Sequence, residues 1–457
     1  MINTLYLPEL REMLATHDAE GLREFCTALH PGMIAEFMEG LTGSETWAVL
    51  QHADAPLRAE IYGYLDQAKQ IEICETQDRD EIAALIGDLP PDDRVDLLTE
   101  VAPSTVEELM PLVSVEDRRD IRRLSAYPEG TAGAVMTTAF ARVREDFTAR
   151  QALDEVIRQA AELETIYYVY VVDEASHLQG VVSSRQLFSA MRRPETPVRD
   201  LMEREVLTVL VTDDQEDVAQ KVARFDFLAI PVVDDEHHIV GIITHDDVID
   251  VMVEEATEDA HRMGGIAPIT EDILEARFTT IWRKRALWLS VLFVAELFTF
   301  SALAQFEQAI AAVVALSLFL PLVISTGGNS GSQAATLITR ALALGQVTTR
   351  DWFRVFRHEV LMGLTLGLTL GVIAYVRAAL TPQSVLGNAD RWTLACVIAQ
   401  AVALICLWGT LVGSMLPLVF KRLGIDPGIA SSPFVATFVD VTGILIYFSI
   451  AEVYLLH

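Results

Sequence analysis

The sequence predicts a multidomain protein: an all-α N-terminal helical array, a duplicated α+β module, a connecting helix and a five-span α-helical membrane domain. Three observations carry that reading. Charge is split along the chain: residues 1–282 hold 23 Lys and Arg against 57 Asp and Glu, and residues 283–457 hold 11 against 8. An internal repeat fills the middle, with YVVDEASHLQGVVSSRQLF (170–188) returning as PVVDDEHHIVGIITHDDVI (231–249). Five apolar stretches follow at 286–305, 309–331, 359–380, 392–420 and 433–456, each reaching the roughly 20 residues that cross a bilayer.

A chain of 457 residues that is 51% hydrophobic has room for several domains and is too apolar for one ordinary soluble domain. The first portion, at net −34, repels nucleic acid and anionic lipid and attracts cations. Cys26, Cys74, Cys396 and Cys406 make no CxxC pair, so neither a zinc ribbon nor a disulfide framework is expected. The opening MINTLYLPELREML lacks a basic n-region and a continuous apolar core, and does not read as a signal peptide.

Residues 1–130 read as helical throughout. Apolar residues recur at three- and four-residue spacing, as in Leu22, Phe25, Cys26, Leu29 and again Ile82, Leu85, Ile86, Leu89. Pro31, Pro56, Pro90, Pro91, Pro103 and Pro111 interrupt this pattern at short intervals. Short helices broken so regularly suggest a stacked array. In Leu89–Leu98 a proline at the first turn is followed by carboxylates facing the positive helix end. No catalytic constellation appears, and a binding or regulatory module is the reading.

In residues 131–253 Val171 matches Val232, Asp173 matches Asp234 and Gly180 matches Gly241. Upstream, Val135-Met136 corresponds to Leu201-Met202. Each copy reads strand, helix, strand, turn, strand, helix, with an acidic turn closed by glycine. At these residues the sequence resembles a tandem CBS-domain pair. That resemblance implies a regulatory module that senses an adenine nucleotide or an ion, set against a structural duplication without ligand.

The segment DDVIDVMVEEATEDAHRMG (246–264) places Asp247, Asp250, Glu254 and Glu258 along one helical stripe. Like charges at that spacing repel, and a divalent cation among them removes the repulsion. The alternative is a solvated acidic face.

Basic residues then orient the spans. Arg283, Lys284 and Arg285 precede the first; Glu307 and no basic residue follow it; Arg340, Arg350, Arg354 and Arg357 come next, then Arg377 and Arg391, then Lys421 and Arg422. The alternation places the N-terminal region in the cytoplasm and the C-terminus outside. Inside the second stretch, LPLVISTGGNSGSQAATLITR (320–340) gathers Gly327, Gly328 and Gly331 with Asn329 and Gln333. Irregular backbone there would have to be buried or line water, and exposed carbonyls could replace an ion's hydration. The alternative is small-residue helix packing. No Gly-Lys-Ser/Thr follows, so this is not a phosphate loop.

The last stretch carries Asp440, with Pro433, Ala436, Thr437 and Gly443 at helical spacing around it. A lone Asp in hydrocarbon is costly unless it faces a cavity, a partner or a cation. It is either an ion site or a buried acid bonded to a neighbouring helix. Asp426 stands 14 residues earlier, at the cytoplasmic mouth of the same helix. Glu296 is a further carboxylate, in the first apolar stretch, placed either in a helix interface or near water. His358-Glu359-Val360-Leu361-Met362 starts like a zinc-protease motif but has Met362 where the second imidazole is needed. That argues against an intramembrane enzyme, and the lone Asp without pore cations argues against an anion path.

The GGNSGSQ run (327–333), Asp426-Pro427 and PFVATFVDVTG (433–443), in this order of parts, resemble the MgtE family of magnesium channels and transporters over essentially the whole chain. The resemblance implies an acidic N domain (1–130), a CBS pair (131–253), a connecting plug helix (254–280) and a five-helix pore domain (281–457). It implies a homodimer in the bacterial inner membrane, importing Mg2+ and closed by cytosolic Mg2+. Asp440 would be the central pore carboxylate, with Gly328 and Asn329 lining the path and Asp426 at its cytoplasmic end. The regulatory ions would bind among Asp214, Glu216, Asp226, Asp247, Asp250, Glu255, Glu258 and Asp259, with Glu60, Asp92 and Asp96 from the N domain.

Overall fold

The computed structural model describes residues 5–160, 163–269, 273, 276–386 and 389–455. The first four residues of the expected helical array, residues 270–272 and 274–275 of the expected connecting helix, and residue 456 of the last expected span lie outside that set. The chain divides into two compact units, Met1–Met252 and Val253–His457.

The first unit opens with ten helices among the described residues, from α1 (Leu7–Thr16) to α10 (Val115–Leu124), including α5 (Ala55–Gly63), α7 (Arg79–Asp88) and α8 (Pro91–Glu100). Each helix from the second onward packs on the next but one, so even- and odd-numbered helices form two stacked layers. The punctuation seen in the sequence is capping chemistry. Pro91 occupies the first turn of α8, where its missing N–H costs nothing. Asp78 accepts from the Asp80 and Glu81 amides at the start of α7. Glu81 then ties layers together by accepting from Trp47 Nε1 and Gln51 Nε2, both at 2.8 Å.

The repeat follows as two three-stranded sheets of the same topology. The first holds β1 (Phe140–Arg144), β2 (Thr165–Val172) and β3 (Leu178–Ser183), with α11 (Ala149–Gln159) and α12 (Ser184–Ala190). The second holds β4 (Val209–Leu210), β5 (Ala229–Val233) and β6 (Ile239–Thr244), with α13 (Gln215–Phe225) and α14 (His245–Met263). In each sheet the first two strands are parallel and the last two antiparallel. Val171 pairs with Gly180, and Val232 with Gly241, at the same register. The glycines are explained by an exchange of arms between the repeats. A Cβ on Gly241 would lie 2.7 Å from Met136 Sδ, and one on Gly180 would lie 2.9 Å from Met202 Sδ. Each repeat's leading methionine therefore packs on the other repeat's glycine.

The helix expected over 254–280 runs instead over His245–Met263 as α14, beginning directly after β6 in the second repeat. It ends at Gly265, whose φ of +71° is a left-handed cap, with the Ile266 amide donating to the His261 carbonyl.

The second unit contains α15 (Phe278–Gln305), α16 (Glu307–Ala312), α17 (Ala315–Ala343), α18 (Trp352–Ala379), α19 (Gln383–Leu386), α20 (Arg391–Arg422) and α21 (Ser432–Leu455). Among the described residues, four helices, α15, α18, α20 and α21, are long and apolar enough to cross a membrane. The fifth long helix, α17, carries the glycine-rich run. That run is continuous helix, which overturns the expectation of irregular backbone at 327–333. The reason is packing. α20 lies between α17 and α18, and a Cβ on Gly331 of α17 would meet the Gly409 carbonyl at 2.9 Å and Val435 at 2.8 Å. A Cβ on Gly367 of α18 would meet the Ala403 carbonyl of α20 at 2.6 Å. Close backbone approach, sealed by Ser330 bonding Thr410 Oγ1 at 2.5 Å, replaces large side chains at these seams.

Candidate functional site

Asp440 is held at mid-helix on α21 where that helix crosses α17. Val435 and Val439 on the neighbouring positions are fully buried against the glycines of α17. This fixes the rotation of α21 and turns Asp440 toward Gly328, where a Cβ would lie 3.5 Å from Asp440 Oδ1. Asp440 is half-buried, and the charged group that acts on it is a second carboxylate, Glu296 of α15. Two carboxylates within electrostatic reach in an apolar helix bundle attract a cation. Asn329 is exposed next to Gly328 and donates to Ser325 Oγ at 3.3 Å. With Pro321, Ser325 and Gln333 it forms an exposed stripe at four-residue spacing on α17. Structure thus brings Gly328 and Asp440 into contact and sets Asn329 beside them. The zinc-protease-like pair is self-contained, because His358 Nδ1 bonds the adjacent Glu359 at 3.0 Å.

Asp426 opens a 3₁₀ turn (Pro427–Ile429) before α21 and accepts from the Gly428 amide at 2.6 Å. Its other partner is Arg262, from the last turn of α14, which also pairs with Glu258. Asp259, one residue on, lies near Arg340 and Lys421. Desolvation, then the Glu255 charge, raise its carboxyl above the ordinary range despite those cations.

In the first unit the acidic candidates separate into two groups. Asp214 and Asp226 bound α13: Asp214 accepts from the Glu216 and Asp217 amides, and Asp226 ends the helix at φ +53°. The Asp214 carboxylate thus caps the helix start, while Asp226 ends the helix through its backbone amide, which donates to the Val222 carbonyl, and keeps its side chain exposed. Glu60 on α5 and Asp96 on α8 are exposed. Asp92 and Asp247 are brought together, however, with Asp250 nearby and with three acids not anticipated as ligands: Asp93, Asp246 and Glu164. Glu164 was illegible because it lies in a connection before β2, outside any helical spacing with the others. Asp92 is buried, and its Oδ1 has no hydrogen-bond partner among the described residues.

Crowding of like charge changes these acids. Desolvation, then the charge of Asp247, raise Asp92 well above the ordinary range and push Asp93 up to about 6 and Glu164 up to about 7. An orphaned buried carboxylate oxygen among protonatable neighbours fits a missing cation. Among the described residues no three His, Cys, Asp or Glu side chains are arranged to hold a metal ion. A donor set made of carboxylates suits Mg2+, which keeps most of its water and meets one or two of them.

The direction of the pH effect follows. The folded unit holds protons that the unfolded chain releases near the ordinary carboxylate value of about 4. Without divalent cation, stability is then lost as pH rises from there through about 6 and about 7. Thermal melts of the chain in EDTA should show a lower midpoint at about pH 7.5 than at about pH 5, and Mg2+ should raise the midpoint more at the higher pH. Equal Mg2+ shifts at both values would separate the cluster from cation binding.

Comparison with known proteins gives matches along the whole chain. Residues 29–130 match the MgtE intracellular N domain, residues 132–193 and 198–254 match the CBS domain, and residues 320–450 match the MgtE divalent cation transporter domain. The magnesium transporter MgtE of Thermus thermophilus is 38% identical over 449 residues, 98% of each chain. Two solved structures each match about half of this chain. The soluble part of a magnesium transporter is 34% identical, with a TM-score of 0.51 over 55% of this chain and 97% of that one. The cytosolic domain of the Mg2+ channel MgtE in complex with ATP is 36% identical, with a TM-score of 0.50 over 53% of this chain and 98% of that one.

Proposed function

The chain belongs to the MgtE family of magnesium transporters and is a membrane transporter, not an enzyme; from that premise we propose that it is a homodimeric Mg2+ import channel closed by cytosolic Mg2+. The observation that carries the pore assignment is Asp440, half-buried against Gly328 with the Glu296 carboxylate within electrostatic reach and no basic partner among the described residues. Mg2+ is the cargo. One carboxylate per chain, facing its twin across a dimer axis, makes a site of moderate strength, which lets ions leave as well as enter. The exposed stripe of Ser325, Asn329 and Gln333 would face the same path, and this would make α17 the fifth span alongside the four apolar helices. Asp426 sits at the cytoplasmic end, with the N-terminus in the cytoplasm and the C-terminus outside, as the basic loops favour.

Regulation follows from the acidic cluster. Asp92, Asp93, Glu164, Asp246, Asp247 and Asp250 repel one another at low Mg2+, and bound Mg2+ would hold them together. Glu255, Glu258 and Asp259 on the second half of α14 would carry that state to the mouth as a plug. Mg2+ shifts the gate only by binding the closed form better than the open one. The domains are read as 1–130, 131–253, a plug within 254–280 and 281–457. The CBS pair is read as a second sensor for adenine nucleotide, supported by the ATP complex of the related cytosolic domain.

Flux into liposomes tests the whole reading. Mg2+ should enter down its gradient and slow as Mg2+ on the cytosolic face is raised. Uptake indifferent to cytosolic-face Mg2+ would remove the sensor, and the absence of Mg2+ flux would remove the channel.

A further inference from the structure

The foot of α14 is the place where the acidic stripe meets the acidic mouth, and there the structure shows a cation that belongs to the chain. Glu258 and Asp426 are both candidates for metal, yet the Arg262 guanidinium pairs with each of them. The three side chains keep 33%, 28% and 30% of their exposure, for Arg262, Glu258 and Asp426 respectively, so the pairs are partly shielded from bulk water. The position of Arg262 is fixed by three further features. It stands in the last turn of α14, where a cation suits the negative end of the helix. Its stem covers Gly428, where a Cβ would lie 3.0 Å from Arg262 Cβ. The turn that ends the helix at Gly265 rests on Trp288, with a Cβ there meeting the indole at 2.7 Å and Pro433 at 3.5 Å. Asp259 facing Arg340 and Lys421 is a second, reversed charge match at the same foot.

We infer that Arg262 is a positioning residue of the gate: a built-in cation that holds the foot of α14 on the Asp426 mouth and stands in for one divalent ion between Glu258 and Asp426. This rests on the reading of α14 as the plug. A guanidinium forks between two carboxylates as a compact hydrated ion does with fewer direct contacts. With the arginine present, closure needs Mg2+ chiefly at the cytosolic cluster. Without it, the two bared carboxylates repel until a divalent ion bridges them, so closure costs more Mg2+ but remains attainable.

The test is the cytosolic-face Mg2+ dependence of flux through the full chain in liposomes. R262Q should raise the half-inhibiting Mg2+ by about fivefold or more, leave inhibition complete at saturating Mg2+, and R262K should recover part of the shift. Wild-type dependence in R262Q overturns the proposal. The pair R262C/G428C separates it from the plug reading, since their Cβ atoms lie within reach of a disulfide after a small shift. Oxidised R262C/G428C should be blocked at every Mg2+ concentration and released by reductant, with G428C alone as control. A blocked cross-link together with an unshifted R262Q removes the arginine's role alone. A complete cross-link that leaves flux intact, or a failure to cross-link, removes the plug contact and with it the proposal.

Discussion

Asp440→Asn sharply lowers Mg2+ flux while leaving the folded chain intact. The side chains are nearly isosteric, so the apolar contacts of Val435 and Val439 with α17 stay as they are, and only the charge at the Gly328 crossing is lost. Removing one partner of a buried charge pair costs about 2–5 kcal/mol, and each 1.4 kcal/mol is tenfold, so flux should fall by roughly two orders of magnitude. Thermal stability should hold or rise, because a neutral amide in place of the carboxylate no longer repels Glu296. The measurement pairs a fluorescent Mg2+ assay in liposomes with a melt of the same preparation. A well-folded D440N protein conducting at the wild-type rate would move the path away from α21.

Removal of residues 1–252 gives the second large effect. Val253–His457 is a compact unit by itself, and the acidic cluster of Asp92, Asp93, Glu164, Asp246, Asp247 and Asp250 is deleted with the other. The truncated channel should conduct at least as fast as the full chain in low Mg2+. Its half-inhibiting Mg2+ should rise by about tenfold or more, because a ligand shifts a two-state gate only through its differential affinity. A milder version, Asp92→Asn with Asp247→Asn, should move in the same direction by less. Unchanged inhibition in the truncated protein would place the sensor within the membrane unit.

Much of this was legible because it lies in periodicity. The two repeats, their strand order and their equivalent Gly180 and Gly241 were visible at fixed spacing, and the structure adds the reason: each glycine receives the other repeat's methionine. The helical array was visible because prolines fall at first turns. The glycine-rich run misled at the level of local propensity. Gly327 and Gly331 weaken an isolated helix, but in α17 they permit backbone contact with α20 whose packing outweighs that cost. Residue type alone also could not show that the Asp214 carboxylate serves as the cap of α13.

The sequence by itself determined the charge division, the duplication, the apolar helices and the aspartate within α21, since each is a property of composition or spacing. Only the tertiary structure decided which charges meet. Asp440 finds Gly328 and Glu296; Asp92 finds Asp247 and Glu164; Arg262 finds Glu258 and Asp426. The physical reason is that electrostatic energy depends on separation in space and on the water excluded between partners, and neither quantity is written in distance along the chain.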